Sequence, residues 1–133
     1  MKKVVVSLFI VLLLSGCFKQ NKEVNVENIK VNNKVEKIED KGISLELDEF
    51  YYKDGYSTIN LSITNNNDYI VYIGSYKVYI YDDKDNLIGM FNPKFESNIN
   101  NGDTMKQMFS TQVDFSRASK VEYEFNDIEK VEF

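Results

Sequence analysis

The sequence predicts an all-β body of about seven strands, a sandwich or a barrel, behind a signal peptide and a flexible tether. Three observations predict it. From Gly42 onward, aromatic and β-branched residues come in short runs. Several of those runs alternate apolar with polar positions, the period of a half-buried strand. Turn-forming residues recur every eight to twelve positions, a spacing characteristic of all-β sandwiches and barrels.

The first segment, residues 1–16, has the layout of a secretory signal peptide. Lys2 and Lys3 precede an apolar run from Val4 to Leu14, interrupted only by Ser7. A spanning helix needs about 20 apolar residues, so this run is too short to cross a bilayer. Leu14-Ser15-Gly16-Cys17 then resembles the lipobox of bacterial lipoproteins. The small residues let a peptidase approach the backbone, and the thiol is a nucleophile suited to take up a diacylglyceryl group. The resemblance implies cleavage before Cys17, its lipidation with fatty-acyl chains of the palmitate kind, and a mature chain anchored on the extracytoplasmic face of the cell membrane. Two acyl chains anchor stably where one is marginal. Loss of Lys2 and Lys3 would take the net charge from −5 to −7. Such an acidic body is not drawn to anionic head groups, and it is expected to stand off the surface.

Residues 17–41 read as the lipidated Cys and a flexible tether. Asn, Lys and Glu dominate, and the apolar residues at 24, 26, 29, 31, 35 and 38 are isolated Val and Ile. So little apolar surface does not offset the ordering entropy. Fully stretched, the segment would span at most about 80–85 Å, and as a coil roughly 25–30 Å. An amphipathic helix competes with this reading, and Val24-Asn25-Val26 could form a strand.

Residues 42–133 are expected to form the body. Ile43, Leu45 and Leu47 alternate with Ser44, Glu46 and Asp48 in a first strand, closed by Tyr51 to Gly55 with an Asp-Gly turn. Ile59, Leu61 and Ile63 make a second, and Asn65 to Asp68 a loop. Tyr69–Ile73 and Tyr76–Tyr81, apolar on both faces, read as two central strands. Asp82 to Asn86 is a turn, Leu87–Phe91 returns, and Asn92 to Asn98 reads as a surface loop. After the turn at Asn100 to Asp103, Met105, Phe109 and Val113 share a strand face. Asp114 would cap one helical turn, and Val121, Tyr123 and Phe125 alternate in a last strand.

The order of these elements resembles a known family. Ile63-Thr64-Asn65 leads into Tyr76 to Asp82, then Leu87-Ile88-Gly89, the Asn101-Gly102-Asp103 turn, and Asp114-Phe115-Ser116, Ala118 and Val121-Glu122-Tyr123. This is similar to the immunoglobulin-like accessory domains of Gram-positive lipoproteins and secreted proteins, of the FxLYD type, over about residues 43–125. The chain departs from that pattern in having Asn-Gly-Asp where a Pro-Gly turn is usual, and Ile80-Tyr81-Asp82 where the family has Leu-Tyr-Asp. The resemblance implies an immunoglobulin-like antiparallel β-sandwich and a non-enzymatic module, with no catalytic residue to carry over.

Composition narrows the chemistry. A net charge of −5 argues against nucleic acid. The chain has no His, the commonest general base and metal ligand, and a single Cys. No catalytic residue, cofactor or metal is expected; Asp82 to Asn86 offers oxygens for Ca²⁺ but lacks the Gly and Glu of an EF-hand loop. Eight of nine tyrosines lie between Tyr51 and Tyr81. Val78 and Ile80 are expected to point inward, leaving Tyr79 and Tyr81 outward, with Tyr51, Tyr52 and Tyr72 joining them in a patch. Tyrosine suits a binding surface because it offers flat area and a hydroxyl at low entropy cost. The expected partner is another envelope protein or a glycan. Tyrosine also simply suits strands.

Overall fold

The computed structural model describes residues 21–133. The expected signal peptide and Cys17 lie outside the described residues.

Among the described residues, nine strands form two facing sheets: β1 (Lys22–Glu23), β2 (Lys30–Asn33), β3 (Ile43–Lys53), β4 (Tyr56–Asn65), β5 (Val71–Tyr81), β6 (Leu87–Phe91), β7 (Lys94–Ile99), β8 (Thr104–Thr111) and β9 (Lys120–Lys130). One sheet runs β1-β3-β4-β8. The other runs β2-β9-β5-β6, with β7 also paired to β5. The all-β sandwich expectation holds, with nine strands rather than seven. It is antiparallel except at one edge, where β2 runs parallel to β9.

The inward residues follow the predicted alternation. Leu45, Ile59, Leu61 and Ile63 from one sheet meet Val71, Ile73, Tyr76, Val78, Ile80, Val121 and Phe125 from the other. Burial of roughly 1.5–3 kcal/mol per such side chain drives the two sheets together. Tyr76 sits at the centre, its ring edge-on to Phe95 and Phe109 at centroid distances of 6.4 and 6.3 Å. Edge-to-face geometry suits the aromatic quadrupole.

The β3–β4 hairpin turns as its sequence demands. Asp54 and Gly55 have φ of 54° and 84°, the consecutive positive values of a type I′ turn, and Lys53 pairs directly with Tyr56. The β5–β6 turn is built by Asp82, whose carboxylate accepts from the amides of Lys84 and Asn86, both at 2.9 Å.

Four expectations need correction. First, the tether does not extend to residue 41. From Lys22 the chain is part of the sandwich: β1 pairs with β3, and β2 with β9. Ile29 is buried, and Val24, Val26 and Val31 pack on the core. Isolated apolar residues do not order a free chain, but existing sheet edges supply both the hydrogen bonds and the apolar seat. Second, Tyr69–Ile73 and Tyr76–Tyr81 are not separate strands but belong largely to β5, continuous through Gly74. A Cβ on Gly74 would approach the Asp127 side chain to 2.8 Å, so only glycine lets β9 pass. Third, the loop expected over 92–98 contains β7, because the first half of β5 needs a neighbour on that side. Fourth, 114–119 forms turns rather than a helix; Asp114 Oδ1 accepts from the Ser116 amide at 2.8 Å.

Candidate functional site

The structure divides the five tyrosines of the expected patch. Tyr51 and Tyr52 lie on β3, beside Glu23 and Lys22 of β1. Tyr51 pairs with Thr58 and faces outward; Tyr52 pairs with the buried Ser57 at the end of the sheet. Tyr72, Tyr79 and Tyr81 lie on the outer face of β5, in the opposite sheet. Strand parity explains this: Val78 and Ile80 are buried, as expected, so their neighbours must face out. With the thickness of the sandwich between the two sets, the five do not make one surface.

On the β5 face the tyrosines are half-buried platforms for lysines. Lys34 Nζ lies 3.9 Å from the Tyr79 ring centroid, and Lys120 Nζ lies 4.6 Å from that of Tyr81. Lys120 also bonds Asp85 Oδ1 at 3.0 Å, and that hydrogen bond holds its ammonium above the usual lysine range. Two residues that the sequence reading did not single out complete this face. Met90 pairs with Tyr79, and Leu87 with Tyr81; they are 52% and 55% exposed. The signal available was the run Leu87 to Phe91, which lacks the alternation that a strand with a polar outer face would show.

A second feature lies on the outer face of the β1-β3-β4-β8 sheet. The pairing of β3 with β4 slips between Leu47 and Glu49. This β-bulge opens a shallow depression of about 390 Å³ lined by Asp48, Glu49, Asn60, Lys106 and Met108, among others. Its polar groups are largely paired with one another. Asn60 Nδ2 donates to Glu49 Oε2 at 2.9 Å, and the Ser62 hydroxyl donates to Asp48.

The Asp82 carboxylate is taken up by its own turn. Besides the two amides, the Asn86 side chain donates to Asp82 Oδ2 at 3.2 Å. The Asn86 amide is the first cause of a carboxyl held below its usual range, with burial opposing. Among the described residues, no three His, Cys, Asp or Glu side chains converge as a metal site, and no helix is long and apolar enough to cross a membrane.

No protein-family model matches the chain, and no curated protein matches it in sequence. Solved structures do. The trimeric lipoprotein SadB of Salmonella enterica is similar at 12% identity and a TM-score of 0.53, over 98% of this chain and 74% of that one. A DUF1425 family member from Shewanella sp. pv-4 is similar at 12% identity and a TM-score of 0.44, over 68% of this chain and 81% of that one. At such identities the likeness to SadB is one of fold, and it extends through the N-terminal strands as well as the later ones.

Proposed function

We propose that this chain is an extracytoplasmic lipoprotein, anchored in the cell membrane through a diacylglyceryl group on Cys17, and that its sandwich acts as a non-enzymatic accessory or binding module of the envelope. The observation that carries the reading is Leu14-Ser15-Gly16-Cys17, in which the chain's sole Cys directly follows a short apolar run and two small residues. The fold supports it: a similar architecture occurs in a protein described as a trimeric lipoprotein. The resemblance to FxLYD-type domains of Gram-positive lipoproteins belongs to the same reading, at the level of strand and turn order.

The face proposed to meet an envelope partner is the β5–β6 surface with Tyr79, Tyr81, Leu87 and Met90. It combines two tyrosines capped by Lys34 and Lys120 with two exposed apolar side chains. The depression at the β3 bulge favours a second reading, a receptor for a small polar ligand or a glycan. That reading is weaker, because Asp48, Glu49, Asn60 and Ser62 already satisfy one another.

Fractionation and fatty-acid labelling of the parent and Cys17→Ala test the anchor. The parent should carry label in the membrane fraction, and the variant should lose both label and membrane retention. A variant that stays in the membrane beside an unlabelled parent would end the lipoprotein reading.

A further inference from the structure

We infer that one pole of the sandwich, made by the β3–β4 turn, the β5–β6 turn and the β8–β9 loop, rests directly on the phospholipid surface. The inference deepens the anchoring reading and depends on it. It overturns the expectation, drawn from a 25-residue tether (residues 17–41), that the body stands clear of the membrane.

The first argument is the length of the leash. Lys22 pairs with Tyr52 at the end of β3, and the Asp54 amide donates to Asn21 Oδ1 at 3.1 Å. The chain therefore enters the fold beside the β3–β4 turn. Only residues 18–21 separate Cys17 from Lys22, five Cα steps that reach at most about 18 Å. Strands β3, β5 and β9 each have 11 residues, and at about 3.3 Å per residue they run roughly 35 Å from pole to pole. The far pole carries the β7–β8 turn and the residues after β9. It is about twice as distant as the leash is long, so an anchored chain cannot turn it to the lipid.

The second argument is the character of the near pole. The parts belong together: Thr111 pairs with Ser57 at the start of β4, and the Ser119 amide donates to the Tyr81 carbonyl at 2.9 Å. The β8–β9 loop thus bridges the two sheets at this end. Here Tyr56, Leu87 and Val113 are 45%, 55% and 50% exposed. The same turns and loop, with the adjoining β1, also carry Lys22, Lys53, Lys84 and Arg117 together with Asp54, Asp83, Asp85 and Asp114. An amphipathic Tyr, two apolar side chains and long cationic stems suit the head-group region. The mixed charges remove any strong preference for anionic lipid, so the surface fits a zwitterionic interface.

The chain has no Trp, so single-Trp variants report position without a background. Val113→Trp places the probe on the near pole and Phe133→Trp on the far one; both sites are exposed, and circular dichroism checks that both variants fold. Each lipidated full chain is purified, the acyl mass on Cys17 is confirmed, and the protein is reconstituted into phosphatidylcholine vesicles with nitroxide-labelled head groups. We expect severalfold stronger quenching at position 113 than at 133, unchanged by raised salt. Equal quenching at both, or stronger quenching at 133, with the acyl mass present would overturn the orientation alone. An absent acyl mass would overturn the anchor, and the orientation with it.

Discussion

Ser57 and Phe115 are joined by a buried hydrogen bond: the Phe115 amide donates to the Ser57 hydroxyl oxygen at 2.9 Å. The same hydroxyl donates to the Val113 carbonyl at 2.7 Å. One side chain on β4 thereby holds the loop that joins the two sheets, and with it the position of Val113. Ser57→Ala leaves a buried donor and an acceptor unpaired. It should cost about 1–3 kcal/mol, read as a lower urea midpoint at unchanged m value. A loss of only a few tenths would mean that water replaces the hydroxyl.

Gly89 is packed against the Phe115 ring so closely that a Cβ there would collide with two ring carbons. Its backbone φ is not in the left-handed region, so the requirement is one of space. Gly89→Ala should destabilise by roughly 1–3 kcal/mol through overpacking. In a double-mutant cycle with Phe115→Leu the two effects should be strongly coupled. Simple additivity would show that the ring is not what excludes the methyl group.

The Tyr76 hydroxyl is buried with no hydrogen-bond partner among the described residues. Burial pushes it well above the ordinary tyrosine range. Removing a desolvated, unpaired hydroxyl should be neutral or favourable. Tyr76→Phe is therefore expected to raise stability by up to about 1 kcal/mol, visible as a higher thermal midpoint. A clear decrease would reveal a partner for the hydroxyl.

Asp82 provides a pH dependence. Its folded pKa is depressed, so the folded state binds fewer protons than the unfolded state just below the ordinary carboxylate value. Its contribution is complete above that value, about 4, and is lost as pH falls through the lower folded value. Asp82→Asn should narrow the gap between neutral and acid stability, measured as urea midpoints across that window. Parallel pH profiles for parent and variant would contradict this account.

Six strands, β3, β4, β5, β6, β8 and β9, were legible because each carries its own signal. Ile59, Leu61 and Ile63, for instance, alternate with polar residues, and Asp54-Gly55 names its turn type. The inward aim of Val78 and Ile80, and hence the outward aim of Tyr79 and Tyr81, followed from strand parity alone. Strands β1, β2 and β7 were illegible for one reason: Lys22–Glu23, Lys30–Asn33 and Lys94–Ile99 are largely polar, and they become strands only against an edge that already exists. The candidate faces divide in the same way. The tyrosines could be counted in the sequence, but which sheet each occupies depends on pairings between residues far apart in the chain.

The sequence by itself determined the β class, the hairpin turns and the chemical case for a lipidated Cys17, since each rests on neighbouring residues. The tertiary structure alone decided that the chain from Lys22 on belongs to the body, that lysines cover Tyr79 and Tyr81, and that Lys22 enters the fold beside the β3–β4 turn. Each of those depends on long-range pairing, in which the hydrogen bonds and apolar contacts that order a polar segment come from strands far away in the chain, as when Lys22 pairs with Tyr52 and Lys30 with Lys120.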